Sequence, residues 1–248
     1  INQIRSDDGG TITGRFSYHN PNLQQIPSRS KLGKHIKRLF IAREGRILIK
    51  VDYSAHEVRC WGMIADDDGV ARSFDVGTEF RNRFKTLPDA YIGKRISYEG
   101  DVHKVNASYF FGIDITSVTK PLRDSIKGVI FGLIYQQSLK NLAKQIGREL
   151  SVVENIVSEF LKRYPNGYNW FDRVKNFAKK NLFVESPLGR RRHVWGVGLP
   201  KDLEDFEMME ARSLRQSVNS PVQGFGSDFM MQGIRNIDKM KCEHYLKT

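Results

Sequence analysis

Arg123, Lys127, Phe131 and Tyr135 stand four residues apart in a run that reads as a helix. Because 3.6 residues make a turn, each step of four drifts by only ~40°, so the four side chains form one stripe. Two cations followed by two aromatics suit a nucleotide: Arg and Lys meet phosphate charge, while Phe and Tyr offer faces for stacking on a base. Ile126, Val129, Ile130, Leu133 and Ile134 lie opposite and supply a buried face, which leaves the stripe to meet a ligand. The same spacing suits a solvated basic face whose aromatics help the core, and spacing alone does not separate the two. Asp52 is a second candidate, since a hard divalent cation takes carboxylate oxygens. One aspartate makes no metal site, and taken alone Asp52 reads better as a turn or cap residue.

The elements that must position these groups can be read along the chain. Arg46-Ile-Leu-Ile-Lys-Val-Asp52 is a short apolar run of β-formers and predicts a buried strand that ends at Asp52. A helix is expected from Tyr53 to Asp66, capped by Ser54 and ended by Asp66-Asp-Asp-Gly69. Residues 1–36 read as extended loop, and residues 75–98 as a charged, irregular surface insertion. Helices are then expected over Val102–Phe111, Leu122–Tyr135 and Leu139–Ile146, the last closed by Gly147. Ser151-Val-Val-Glu154 has the form of a capping box opening a further helix, which Pro165-Asn-Gly167 should stop before another over Tyr168–Lys180. Leu182–Glu185 and Arg191–Val194 around Pro187-Leu-Gly189 predict a β-hairpin, and two helices, about 202–218 and 222–246, should finish the chain. There are no internal repeats or low-complexity tracts. The fold class is α+β, because the helices cluster in a run instead of alternating with strands.

Composition narrows the partners. The 248 residues are 40% hydrophobic, enough to bury a core, and 40 Lys and Arg against 28 Asp and Glu leave a net charge of +12. That excess favours a polyanion: nucleic acid, a membrane face or a phosphorylated ligand. Cys60 and Cys242 are the two cysteines, too few for a disulfide scaffold or a cysteine-rich zinc site. No apolar run reaches the ~18 residues of a spanning helix and no secretory leader opens the chain, so an intracellular, cytoplasmic and nucleoid-associated location is expected. The chain starts at Ile1, so both ends are read as open to being cuts through a longer protein.

Val51-Asp-Tyr-Ser-Ala-His-Glu-Val-Arg59 resembles motif A of the DNA polymerase I type, or family A, polymerases. Arg123-x-x-x-Lys127-x-x-x-Phe131-Gly-x-x-Tyr135 is similar to motif B, the fingers helix of that family. Thr13-Gly-Arg-Phe16, Pro21-Asn-Leu-Gln24, Ile26-Pro27, Asp101-Val-His103, Leu188-Gly-Arg-Arg-Arg192 and Asn219-Ser-Pro-Val-Gln223 match further family segments in the family's order. The resemblance runs over nearly the whole chain, the 75–98 insertion excepted.

The resemblance implies a palm-and-fingers core: palm from 1–65 and 181–248, including an antiparallel sheet, and helical fingers from 66–180. It implies template-directed DNA synthesis with Mg²⁺ as cofactor, and deoxynucleoside triphosphates and primer-template DNA as partners. Asp52 and the carbonyl of Tyr53 would bind the metal pair, and Asp52 with Lys127 would be catalytic. Arg123, Lys127 and His103 would hold the triphosphate, Phe131 would stack on the incoming base and sugar, and Tyr135 would occupy the templating position until the fingers close. Glu57 would be a steric gate against a 2′-hydroxyl. Arg15, Asn22, Gln24, Arg215, Asn219 and Gln223 would contact the primer-template without reading sequence. Blander roles stay open for the lesser positions: Asn219 and Gln223 as helix caps, Arg190–Arg192 as a solvated tip, His103 as an ordinary helix-face histidine.

Three departures stand out. The family's motif C, a hairpin bearing His-Asp-Glu, does not occur in these 248 residues, and Asp228 and Asp238, on an expected helix, are poor replacements. The second metal carboxylate would then come from a missing C-terminal part or from a second chain. Gln136 stands where the family usually has Gly, and the 75–98 insertion is an addition. The rivals are a non-catalytic DNA-binding or priming module and a single-subunit RNA polymerase, the latter opposed by Glu57.

Overall fold

The computed structural model describes residues 11–18, 21–27, 30–48, 52–74 and 101–245. It is mostly helical, with one small antiparallel hairpin among the described residues. The helices are α1 (Lys31–Lys37), α2 (His56–Ala65), α3 (helical over 68–74), α4 (Val102–Phe111), α5 (Lys120–Ile134), α6 (Leu139–Ile146), α7 (Leu150–Arg163), α8 (Pro165–Asn181) and α9 (Phe206–Tyr245). Strands β1 (Phe183–Glu185) and β2 (Arg191–His193) pair with Phe183 opposite His193 and Glu185 opposite Arg191. The chain forms two compact units, Ile1–Ser54 with Gly226–Thr248, and Ala55–Phe225.

The core of the second unit is built around Trp61 of α2. Its indole is fully buried, stacked between Phe160 of α7 at 5.5 Å and Phe171 of α8 at 5.8 Å, with Tyr164 meeting it edge-on. Gly167 lets α8 come this close, since a Cβ there would lie 2.3 Å from the indole. The buried Asp67 ties two helix starts together: one carboxylate oxygen accepts from the Val70 N–H at 3.0 Å and the other from the Gly167 N–H at 2.6 Å. Buried Ile126, Val129, Ile130 and Ile134 bring α5 into the same core, and Leu142 of α6 fills the space beside Gly132.

Helix α4 and helix α6 have the expected limits, with Gly147 in the left-handed conformation after α6 at φ 64°. The hairpin forms where expected, turned by Gly189 at φ 83°. Other expectations are corrected. Of the strand expected at 46–52, Arg46–Leu48 carry no strand and Ile47 and Leu48 are 81% and 67% exposed; residues 49–51 lie outside the described residues, as does the 75–98 insertion. Among the described residues no strand pairs with Arg46–Leu48, and a β-rich run without paired backbone stays irregular. Ser54 does not cap α2: Ala55 takes that place at φ 47°, without a side-chain cap. Ser151 sits inside α7, which starts one residue earlier behind Glu149, so the capping box does not form. Pro165 does not stop α7 by ending the helical path; Tyr164 breaks it and Pro165 opens α8, where a missing N–H costs nothing.

The largest difference is α9, a single 40-residue helix where two were expected, with Pro221 inside it. An interior proline costs about 3 kcal/mol through one lost hydrogen bond and a clash with the preceding turn. Val218, Val222 and Phe225, all buried around it, each contribute roughly 1.5–3 kcal/mol, so packing outweighs the break. Ser217 and Ser220 turn their hydroxyls back onto the Leu214 and Gln216 carbonyls, both at 2.7 Å.

Candidate functional site

Helix α5 and its C-cap residue do present Arg123, Lys127, Phe131 and Tyr135 on one half-buried stripe, which borders the core face instead of lying opposite it, with Phe131 packed partly against the core. Phe131 and Tyr135 lie 6.2 Å apart, and Lys127 Nζ sits 5.7 Å from the Phe131 ring. Packing adds a fifth member that spacing along α5 does not reveal: His103 of α4, whose ring is 5.8 Å from Phe131.

The cations of the stripe are not simply turned to water. Arg123 donates from Nε to Asp101 at 2.6 Å and from Nη1 to Asp124 at 2.8 Å. Burial works against its charge, but these hydrogen bonds and the two carboxylates hold its pKa above the ordinary arginine value. Asp101 does double service, because its other oxygen accepts from the His103 N–H at 2.9 Å and caps α4. One carboxylate therefore joins the start of α4 to the guanidinium on α5. This partner was legible only as the first residue of Asp101-Val-His103; its 22-residue separation from Arg123 hides the pairing.

His103 is buried, and burial, aided by the Arg123 and Lys127 charges against the opposing pull of Asp101, pushes its pKa down to about 4. At neutral pH it is an uncharged imidazole, and its Nδ1 has no hydrogen-bond partner among the described residues. It therefore offers a hydrogen bond and not a charge. At the C-terminal end of the stripe, the Tyr135 hydroxyl donates to the Glu57 carboxylate of α2, across 78 residues of sequence. Directly after it, Gln136 adopts the left-handed conformation at φ 56°, and its side-chain amide donates to the Leu133 carbonyl at 2.9 Å. A glycine would take that conformation without steric cost; here the extra hydrogen bond compensates.

Further along the same unit, Arg215, Asn219 and Gln223 repeat the four-residue spacing on α9. Arg215 is exposed, while Asn219 and Gln223 are half-buried, and the Asn219 Oδ1 has no hydrogen-bond partner among the described residues.

The other expected residues belong to the first unit. Asn22 caps a short 3₁₀ turn by accepting from the Gln24 N–H at 3.1 Å, and Gln24 donates to the Phe16 carbonyl at 3.1 Å, so both side chains also hold their own loop in shape. Arg15 is exposed, and its carbonyl accepts from the Thr11 hydroxyl at 2.8 Å. Asp52 is exposed, and Tyr53 rests its hydroxyl against Gly233, where a Cβ would lie 2.5 Å away. The Asp52 carboxylate and Tyr53 carbonyl are hard oxygen donors of the kind Mg²⁺ takes. A two-ion centre needs a second carboxylate, however, and no group of three His, Cys, Asp or Glu able to hold a metal occurs among the described residues. Among the described residues the donors are right in kind and too few in number. No helix of the described residues is long and apolar enough to cross a membrane.

The chain as a whole resembles known proteins. The family model for DNA polymerase family A matches residues 5–248. DNA polymerase I of Chloroflexus aurantiacus is 29% identical over 239 residues, covering 96% of this chain and 22% of that protein. DNA polymerase I of Pseudomonas aeruginosa is 32% identical over 226 residues, 91% of this chain and 22% of that one. The thermostable DNA polymerase I of Thermus aquaticus is 29% identical over 227 residues, 91% and 24% respectively. Among solved structures, the POL domain of Pol1 from M. smegmatis in complex with DNA primer-template and dNTP superposes with a TM-score of 0.74 at 26% identity, over 95% of this chain and 37% of that one. The chain thus spans less than a quarter of the length of these three curated relatives.

Proposed function

This chain belongs to DNA polymerase family A, and from that membership we propose that it carries the nucleotide-selecting and template-handling part of a template-directed DNA polymerase. Residues 1–65 and 181–248 serve as palm and 66–180 as fingers. The reaction is attack of a primer 3′-hydroxyl on the α-phosphorus of a deoxynucleoside triphosphate, with pyrophosphate leaving. The observation that carries the reading is the α5 stripe meeting His103 and Glu57 in one place. Arg123, its Nε and Nη1 engaged by carboxylates, keeps its remaining N–H groups for phosphate oxygens; Lys127 supplies positive charge to the departing pyrophosphate; His103 adds a neutral hydrogen bond. Phe131 offers its ring to the base and sugar. Glu57, bonded to Tyr135, closes the space a 2′-hydroxyl would need, and Tyr135 waits in the templating position. Arg15, Asn22, Gln24, Arg215, Asn219 and Gln223 hold the primer-template. A divalent metal pair, when bound at Asp52 and Tyr53, supplies charge neutralisation at the reacting phosphate. The second carboxylate is proposed to come from a His-Asp-Glu hairpin outside these 248 residues.

The test is Mg²⁺-dependent addition of one nucleotide to a primer, by this chain alone and by this chain joined to a segment carrying that hairpin, with primer-template binding recorded in parallel. The expected result is binding by both, extension by the joined chain, and loss of extension on Asp52→Ala. Extension by the chain alone that Asp52→Ala abolishes would show that an internal carboxylate completes the centre. The scarcity of metal ligands among the described residues favours one rival, a DNA-binding module without catalysis. Its result is binding with no extension by either form. A supplied second chain restoring extension would locate the hairpin in a separate subunit.

A further inference from the structure

The hairpin carries an aromatic surface that none of the roles above uses. Strand alternation turns Val184 inward against Ala178 and Val194, so Phe183, Glu185, Arg191 and His193 share the outward face. The register sets ring opposite ring and charge opposite charge: Phe183 faces His193, and Glu185 accepts from Arg191 Nε at 2.9 Å. The rings continue beyond the strands. Phe177 of α8 meets Phe183 edge-on at 5.6 Å, Phe183 lies 6.2 Å from His193, and His193 stacks on Trp195 at 5.0 Å and 16°. The Arg191 guanidinium lies 4.2 Å above the Phe183 ring.

Trp195 is 72% exposed, whereas Trp61 and Trp170 are buried. It is exposed without being loose. The Gly196 N–H donates to Ser213 Oγ at 3.1 Å, and a Cβ on Gly196 would lie 2.5 Å from the Met209 carbonyl oxygen, so the turn is seated directly on α9. One face of the indole is stacked on His193 and the rest is held toward solvent. A large rigid ring kept in water at a fixed place is a feature of recognition surfaces. Cations lie along this face: Arg191 is on the outward side of the hairpin and Lys179 and Lys180 end α8 just before it, whereas Arg192, opposite Val184, turns inward and donates to Ser220 Oγ at 2.9 Å. Of the nearby carboxylates, Glu185 pairs with Arg191 and Glu210 with Lys179 at 3.3 Å, while Asp202, Glu204, Asp205 and Glu207 follow in the segment leading into α9. Flat rings in a chain, flanked by cations, match a polyanion with free flat bases.

We propose that the Phe177, Phe183, His193 and Trp195 ladder is a binding site for single-stranded nucleic acid. A base stacks on the outer face of Trp195 and extends the ladder, and the adjoining phosphates meet Lys180 and the guanidinium N–H groups of Arg191 that Glu185 leaves open. Duplex DNA keeps its bases stacked on one another, so it offers this surface phosphates and no free ring. The site needs no metal, primer or nucleotide, and it stands or falls apart from the polymerase reading.

Trp195 is also the reporter. Oligothymidylate of about 10 nucleotides, a length typical of stacking sites, is titrated into the chain without Mg²⁺ while tryptophan emission is followed. The expected result is saturable quenching that disappears in Trp195→Phe. In anisotropy with labelled oligonucleotide, Trp195→Ala should bind roughly tenfold more weakly, while Trp195→Phe, which keeps a stacking ring, should stay within about twofold of the parent. Thermal melting should be unchanged in both variants, because the side chain is largely exposed. Quenching that persists in Trp195→Phe, or equal affinity in Trp195→Ala, overturns the proposal and leaves the ladder to a protein partner. Equal quenching of Trp195 by blunt duplex overturns the single-strand assignment.

Discussion

Asp101 shows how one side chain can set several others. It orients Arg123 and caps α4 beside His103, and the two jobs separate by substitution. Asp101→Asn keeps an acceptor for the cap and loses the charge beside Arg123; Asp101→Ala loses both. Nucleotide affinity should fall roughly tenfold in each, about 1.4 kcal/mol. Urea unfolding should show a further loss of about 1 kcal/mol in the alanine variant alone. Equal stability of the two variants would remove the cap from the account. His103 makes a second prediction, through pH. Its folded pKa of about 4 lies below the ordinary 6.5, so between those values the unfolded chain binds more protons than the folded one. Stability should therefore be lost as pH falls from 6.5 toward 4, by of order 3 kcal/mol in total from this residue. His103→Gln should flatten that part of the urea-unfolding profile; an unchanged slope would mean that other groups cause it. The stripe on α5 was legible because it depends only on helical period. The Arg123 to Asp101 pair was not, since no local pattern tells which carboxylate a tertiary fold will bring near.

At the scale of elements, the contrasts between expectation and fold come from competition between local signals and packing. Asp101 and Ser138 cap their helices, a role the sequence reading does not assign them, while the expected capping box at Ser151 does not form, because α7 begins a residue before it. Pro221 fails to divide α9 because the buried residues around it are worth more together than one proline costs. Gln136 is the reverse case, a local strain accepted at the end of α5. Replacing it with glycine removes the left-handed penalty of about 1–2 kcal/mol and loses the side-chain bond to Leu133, worth about 1 kcal/mol. Gln136→Gly should thus raise stability by up to about 1 kcal/mol, read as a higher denaturation midpoint with an unchanged m-value. A clear loss of stability would show that the amide bond, and not the backbone, dominates there.

Over the whole molecule, the net charge is +12, so the proposed DNA binding should weaken as salt rises. Of the six residues proposed to hold the primer-template, Arg15 and Arg215 alone are cationic. Arg215→Ala should lower the slope of log affinity against log salt by about 1, while Asn219→Ala should weaken binding with the slope unchanged. A slope that changes equally in both would place Asn219 beside a displaced counterion and not at a neutral contact. The sequence by itself determined the basic charge, the helical period of the Arg123, Lys127, Phe131 and Tyr135 stripe, the hairpin around Gly189 and the order of motifs that marks the family. Each of these is a property of composition or of a short window, where backbone geometry and side-chain type suffice. Tertiary structure alone decided that Tyr135 bonds Glu57, that His103 is buried beside Phe131 and uncharged at neutral pH, that α9 runs through Pro221, and that Trp195 stands exposed at the end of an aromatic ladder. These depend on which distant surfaces meet, and that is set by the summed burial of many side chains, a quantity no single window contains.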